Sequence, residues 1–276
     1  MGMQINTNLA ANNTYRNLAS TQTDMAKSLE RLSSGLRINR AADDAAGLAI
    51  SEGLKSQVGG LTVASRNAQD GISLVQTAEG SLNEVQTILQ RVRDLAVQAG
   101  NDSNNEKSRE AIQTEVTALS AELTRIGSSA NFNGTNLLDG TATALTFQIG
   151  AGSTEFDQIK VDLTDADIKT LGTTVGGYTF DNAANALETI GKLDLDIAAV
   201  STNRAELGAV QNRFESVIRN IAVSKENLTA AGSRIRDTDM AEEMVSYTRS
   251  SILSQAGTAM LAQANQSNQG VLTLLR

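Results

Sequence analysis

Not one proline occurs among the 276 residues. Proline stops an α-helix because its ring removes a backbone donor and collides with the preceding turn, so no part of this chain is closed to helix on that account. The apolar residues exploit that freedom. Leu18, Gln22, Met25, Leu29, Leu32 and Leu36 follow one another at alternating four- and three-residue steps, the spacing of a coiled-coil seam. The same step runs through Ala64, Ala68, Gly71, Val75, Ala78, Leu82, Val85, Leu89, Val92, Ala96 and Ala99, which predicts a small-sided helix from about 58 to 99. Gly100-Asn101-Asp102 breaks it, and Ser103 with Glu106 has capping-box spacing for a second helix carrying Ile112, Val116, Leu119, Leu123 and Ile126. So short a break makes the two helices antiparallel neighbours. The most apolar seam is Leu193, Ile197, Val200, Arg204, Leu207, Gln211, Phe214, Ile218, Ile221, Lys225 and Leu228, on a helix roughly 50 Å long at ~1.5 Å per residue.

Between these seams the grammar differs. Asn39 to Asp44 reads as a connector whose acids cap the next helix. Asn133-Gly134 and Asp139-Gly140 are turn dipeptides, after which Leu145, Phe147 and Ile149, then Ile159, Val161 and Leu163, alternate with polar residues. Period two with Gly150 to Thr154 between the runs predicts a β-hairpin with a loose loop. Residues 165 to 186 show no firm period. Asp239 and Glu242 mark another capped start, leading to Ile252, Leu253, Met260, Leu261, Val271, Leu272, Leu274 and Leu275. Apolar faces thus sit at both ends of the chain, where they must meet each other or other copies.

The residues that are missing exclude most chemistry. Without His or Cys there is no Ser-His-Asp triad, Cys nucleophile, imidazole base, thiolate metal site or disulfide. Aromatics make up only 3% and Trp is absent, so the core is aliphatic. With 23 Lys and Arg against 31 Asp and Glu, the net charge of -8 repels a phosphate backbone, and nucleic acid is not an expected partner. No run of 18 apolar residues is present, and the start lacks both the basic end and the apolar core of a signal peptide, so neither a membrane span nor a cleaved signal is expected. Asp43-Asp44, Asp165 with Asp167, and Asp194 with Asp196 are the notable carboxylate clusters; they read as caps and turns, with no metal or cofactor expected. Asn133-Gly134-Thr135 and Asn227-Leu228-Thr229 match the N-glycosylation triplet and read as a surface turn and a helix. Arg91, Leu95 and Gln98 share a stripe beside a seam, which either binds a partner or lets Leu95 pack against the next helix.

Several runs carry a resemblance. They are Ile5-Asn6-Thr7-Asn8, Leu32-Ser33-Ser34-Gly35-Leu36-Arg37-Ile38-Asn39, Asp43-Asp44-Ala45-Ala46-Gly47, Ala64-Ser65-Arg66-Asn67-Ala68 and Leu89-Gln90-Arg91-Val92-Arg93-Asp94-Leu95-Ala96-Val97-Gln98. Near the other end stand Ile252-Leu253-Ser254-Gln255-Ala256-Gly257, Leu261-Ala262-Gln263-Ala264-Asn265-Gln266 and Leu272-Thr273-Leu274-Leu275-Arg276. Together, over about 1 to 140 and 190 to 276, the chain resembles bacterial flagellin in a short form with little or no outer variable domain.

The resemblance implies a mainly α fold: a rod of long helices bundled as a coiled coil, with a small β-hairpin region and paired N- and C-terminal helices. Residues 1–44 and 236–276 would form an inner coiled-coil domain, 45–140 and 190–235 the helical rod, and 141–189 the hairpin and a short variable segment. It implies no enzyme but a structural subunit, secreted through the flagellar type III export apparatus, that polymerises with itself into the extracellular filament. Further implied partners are a flagellin chaperone and the filament cap. Polymerisation would rest on Leu29, Leu32, Leu36, Leu253, Ala256, Gly257, Met260 and Leu261, with Ala256 and Gly257 beside Met260 on a face of close helix approach. Arg91, Leu95 and Glu115 would contact the Toll-like flagellin receptor of vertebrates. Alternatives are a hook–filament junction protein, which shares similar terminal helices, and a monomeric helical binding scaffold.

Overall fold

The computed structural model describes residues 8–141 and 144–274, with side-chain surroundings through residue 266. The expected apolar positions Val271, Leu272, Leu274 and Leu275 lie outside the described side chains. Two compact units form: residues 1–56 with 226–276, and residues 57–225.

In the first unit, helix α1 (Leu9–Ser34) starts where the Asn8 side chain accepts from the Ala11 amide at 3.0 Å, and ends at Gly35 with φ +72°. A left-handed residue at that position strains any side chain but costs glycine little. Helix α2 (Ala45–Ala99) begins well before the seam at 64 because Asp44 accepts from the Gly47 amide at 2.8 Å and caps it. Asp43 instead accepts from the amides of Asn39 and Arg40, and these hydrogen bonds hold its carboxyl below the usual carboxylate range. Asp44 thus caps the following helix as expected, whereas Asp43 closes the turn before it.

The second unit holds the rest of α2 and helix α3 (Glu106–Ser129). The expected Ser103–Glu106 capping box does not form. Asn105 caps α3 instead, accepting from the Ser108 amide at 2.9 Å, while the Ser103 amide donates to Asn101. A residue directly before the helix reaches the free amides with less backbone distortion than one two positions earlier. Asn104 donates to the Gln98 carbonyl across the connection, and Arg91 reaches Glu115 further along, so α2 and α3 run antiparallel as predicted.

Strands β1 (Asn131–Phe132) and β2 (Thr135–Asn136) pair through Asn133-Gly134, with φ +49° and +80°, the double positive φ of a tight hairpin turn. Strands β3 (Leu145–Gln148) and β4 (Gln158–Val161) form the predicted antiparallel hairpin, with Phe147 opposite Ile159. Ile149 and Leu163, read as strand residues, are buried just beyond the ladder.

Helix α4 (Ile168–Gly176) occupies the stretch that shows no period. Asp167 caps it by accepting from the Thr170 amide at 2.9 Å. It lies so close to α3 that a Cβ on Gly127 would meet the Lys169 backbone nitrogen at 2.6 Å, and one on Gly172 the Thr124 nitrogen at 2.7 Å. Backbone approach through these glycines accompanies the burial of Ile168 and Val175 on the same helix.

Helix α5 (Ala183–Arg236) buries Leu193, Val200, Leu207, Phe214 and Ile221 in a heptad row, of which the first four pack with Val75, Leu82, Leu89 and Ala96 of α2 in one core. Phe214 joins three elements. Its ring fills the space over Gly71, where a Cβ would come within 2.6 Å, and meets Phe147 edge-on at 5.6 Å and 88°.

Helix α6 (Met240–Leu274) closes the first unit. Asp239 caps it, accepting from the Ala241 amide at 2.8 Å. The described fold is the expected helical bundle with small hairpins.

Candidate assembly surface

Helices α1 and α6 lie antiparallel, tied at one end by Asn8 donating to the Ala264 carbonyl at 2.9 Å and at the other by Arg31 with Glu243 at 3.5 Å. Their inner rows mix small and polar residues with a few large apolar ones. On α6 the shielded positions include Glu243, Tyr247, Ser250, Ser254, Gly257, Leu261 and Ala264; on α1 they include Leu18, Thr21, Met25, Ser28 and Leu32. A Cβ on Gly257 would sit 3.1 Å from Leu18 Cδ1, so the small side chain does permit close helix approach.

The large apolar residues of α6 face the other way. Met240, Met244, Val245, Ile252, Leu253 and Met260 are all exposed, and Met244, Val245, Thr248, Arg249, Ile252 and Leu253 line an open groove of about 430 Å³. On α1, Leu9, Tyr15 and Leu29 are exposed as well.

This corrects the seam read from sequence. Gln22 and Leu29 do not lie on the inner row; Leu29 is 56% exposed, while Thr21 and Ser28 take the inner positions. The polar bonds at the two ends set the rotation of α1, and the small α6 row accepts small partners there. The eight residues assigned to polymerisation therefore divide. Leu32, Leu36, Gly257 and Leu261 are half-buried within the chain, whereas Leu29, Leu253, Ala256 and Met260 point outward. Ala256 does not share the close-approach face with Gly257, because adjacent helical residues point in different directions.

Arg91 and Glu115 are surface residues bound to each other, with Arg91 Nη2 and Nε donating to one carboxylate oxygen at 2.7 and 3.0 Å. Leu95 is the exception in that trio. It is 2% exposed and belongs to the core beside Val92 and Ala96, so it is not free to fill a notch on a partner. Its packing, one of the two readings open from periodicity, is what the fold uses.

Asp194 and Asp196 each hold a side-chain partner. Arg93 donates to Asp194 at 2.6 Å, which raises the Arg93 pKa. The Tyr178 hydroxyl donates to half-buried Asp196 at 2.8 Å; burial raises the carboxyl above its ordinary range, and burial with the nearby acid pushes the phenol up as well. Asp194 and Asp196 thus serve side-chain pairing on α5 rather than a cap or turn. Among the described residues no cluster of acids could hold a metal ion, and no helix is long and apolar enough to cross a membrane.

Comparison with known proteins identifies the two helical ends. Residues 5–143 match the family described as the bacterial flagellin N-terminal helical region, and residues 190–275 match the bacterial flagellin C-terminal helical region. The chain belongs to the bacterial flagellins. This flagellin is 51% identical over 274 residues to a flagellin of Halalkalibacterium halodurans, covering 99% of its own length and 100% of that protein. It is 47% identical over 288 residues to the flagellar filament 33 kDa core protein of Treponema phagedenis, covering 99% and 100% respectively. The crystal structure of Bacillus cereus flagellin superposes with a TM-score of 0.50 at 32% identity, over 60% of this chain and 94% of that one. Between the two matched regions the described residues form β3, a 3-10 turn at Glu155–Asp157, β4, α4 and the start of α5, which makes this flagellin a short form.

Proposed function

We propose that this flagellin is a structural subunit, exported from the cell, that polymerises with copies of itself into the extracellular filament of the bacterial flagellum. One observation carries the reading: α6 spends its small and polar residues on its partner within the chain and leaves Met244, Val245, Ile252, Leu253 and Met260 in water. A contiguous apolar row of this kind marks a protein interface. Residues 1–44 and 236–276 supply the inner coiled-coil domain, and 45–235 the rod with its hairpin. The flagellar export apparatus, a flagellin chaperone and the filament cap are the partners that accompany such a subunit. End-to-end likeness to flagellins and a filament core protein favours this reading over a hook–filament junction protein or a monomeric scaffold.

Ile252→Glu tests it. Ile252 is exposed in the single chain, so the variant is expected to keep the helicity of the monomer while losing filaments after seeding, read by electron microscopy and sedimentation. Filaments as abundant as those of the unaltered protein would remove this face from the interface.

Arg91 and Glu115 support a second reading, contact with the Toll-like flagellin receptor by free subunits. Both are exposed on adjoining helices, and arginine is frequent among residues that dominate binding energy. Arg91→Ala and Glu115→Ala are each expected to weaken receptor binding by about 1 kcal/mol or more. Because the two side chains bind each other, the double variant should lose less than the sum. Undiminished binding by both single variants would end the assignment.

A further inference from the structure

The second unit carries one exposed aromatic side chain that its own fold leaves unused. Phe156 is 96% exposed, whereas the other four phenylalanines, Phe132, Phe147, Phe180 and Phe214, are buried or half-buried. Its exposure does not come from a loose loop. Thr154 and Asp157 close a capping box around the 3-10 turn Glu155–Asp157, with the Thr154 amide donating to Asp157 at 3.1 Å. The Gln148 side-chain amide donates to the carbonyls of Gly150 and Gly152 at 3.0 and 2.8 Å. Gly150 and Gly152 lie against the Asp157 carboxylate, where a Cβ on either would collide. A backbone held at so many points fixes where the ring leaves the turn.

The same unit also carries a notch. On α5, Leu187 and Leu195 are 72% and 73% exposed, and Gly191 lies midway between them, one turn from each, with nothing within 4 Å of the position its Cβ would take. The turn and the notch cannot meet within one chain. The turn is fixed beside the early part of α2, where Asn67 donates to the Gln148 carbonyl and Gly60 abuts Ala151. The notch is fixed beside the end of α2, by Arg93 with Asp194 and by Gly100 next to Ala186. These anchor points are separated along the helix by roughly 40 to 60 Å.

Resting on the filament reading, we infer that Phe156 of one subunit seats between Leu187 and Leu195, over Gly191, of the next subunit along the α2 direction. A knob near one end of an elongated unit and its notch near the other make a contact that does not close on itself, so it repeats from copy to copy. The charges beside the notch are already balanced within the chain, Lys192 by Glu188 at 2.8 Å and Asp194 by Arg93 at 2.6 Å, so the apolar ring is what the site can take. The occupant is a copy of this chain and not a lasting dimer partner. An aromatic side chain buries about 150–250 Å², far below the ~1,000 Å² of a stable interface, so the contact holds only where other subunit contacts already hold the copies in place.

Phe156→Ala, Gly191→Leu and the double variant test this in seeded polymerisation, with the critical concentration measured by sedimentation. Each single change is expected to raise it about tenfold or more, and the double variant to be no worse than either, since both remove one contact. Gly191→Leu separates the contact from folding: it replaces a helical glycine in open space, so the monomer should melt no lower than the unaltered protein while assembling less well. An unchanged critical concentration in either single variant, or effects that multiply in the double, would overturn the knob and notch while leaving the filament reading intact. Failure of the unaltered protein to extend seeds would remove the filament reading and this contact with it.

Discussion

Removal of residues 240–276 abolishes filaments and leaves a soluble helical fragment; this is the largest effect expected from any change to the assembly surface. The deletion takes away all of α6, and with it both the exposed apolar row and the partner of α1. It takes nothing from the buried cluster that joins α2, α3, α4, α5 and the hairpin, whose members run from Ala68 to Phe214. The fragment should therefore keep a cooperative melting transition for that cluster. Helix α1 loses Leu261, Gly257 and the Arg31–Glu243 pair, so its amides should exchange fast while those of the central helices stay protected. Electron microscopy of seeded fragment, with hydrogen exchange on the same sample, gives both readings. Filaments without α6 would mean that its outward row joins no subunits.

Phe214→Ala carries the largest expected cost to the fold of a single chain, about 3–5 kcal/mol. The ring is fully buried, covers Gly71 on α2 and meets the edge of Phe147 on β3, so its loss opens a cavity at the meeting point of three elements. The side chains around it belong to helices held along their whole length, and they have little freedom to collapse into the space. Chemical denaturation of the variant checks the size of the loss. Faster exchange in β3 and β4 than in α2 would place it at the junction, whereas a cost under about 1 kcal/mol would mean that the hairpin docks without this ring.

How much of this could be read from the sequence depends on what carries each contact. The α5 row from Leu193 to Ile221 and the α2 row from Val75 to Ala99 were legible because they bury apolar side chains at the coiled-coil spacing. The hairpin was legible from alternation around Phe147 and Ile159. Helix α4 was not, since its docking on α3 rests on Gly127 and Gly172, residues that lower any helical pattern while permitting the closest backbone approach. The rotation of α1 is not legible for a related reason: the apolar spacing puts Leu29 on the inner face, whereas Leu29 is exposed and Thr21 and Ser28 are the shielded residues. Of the candidate site, the apolar end segments were visible, but not their division into an inner and an outward set. That division depends on bonds between Asn8 and Ala264 and between Arg31 and Glu243, which no local pattern announces. Leu95 illustrates the same limit, because a stripe beside a seam becomes core once a second helix covers it.

At the base of α1 the strand-like bridge of Leu36 with Asp237 joins two points far apart in the chain, with the Arg37 amide donating to Arg236 at 2.7 Å and the Thr238 amide to Gly35 at 3.1 Å. Arg37 adds a side-chain bond to the Ile235 carbonyl at 2.7 Å. This knot works as the pivot of a clasp. With α1 and α6 hinged at a common point, each stays within reach of the other when they part, and the local concentration of one end around the other remains high however long the intervening chain. Closing again needs no search for alignment, since the pivot sets which residue of one helix meets which residue of the other. The register of the two terminal helices is thus fixed at this joint, by backbone pairing between residues 35–37 and 236–238, and not by a seam of leucines along their length.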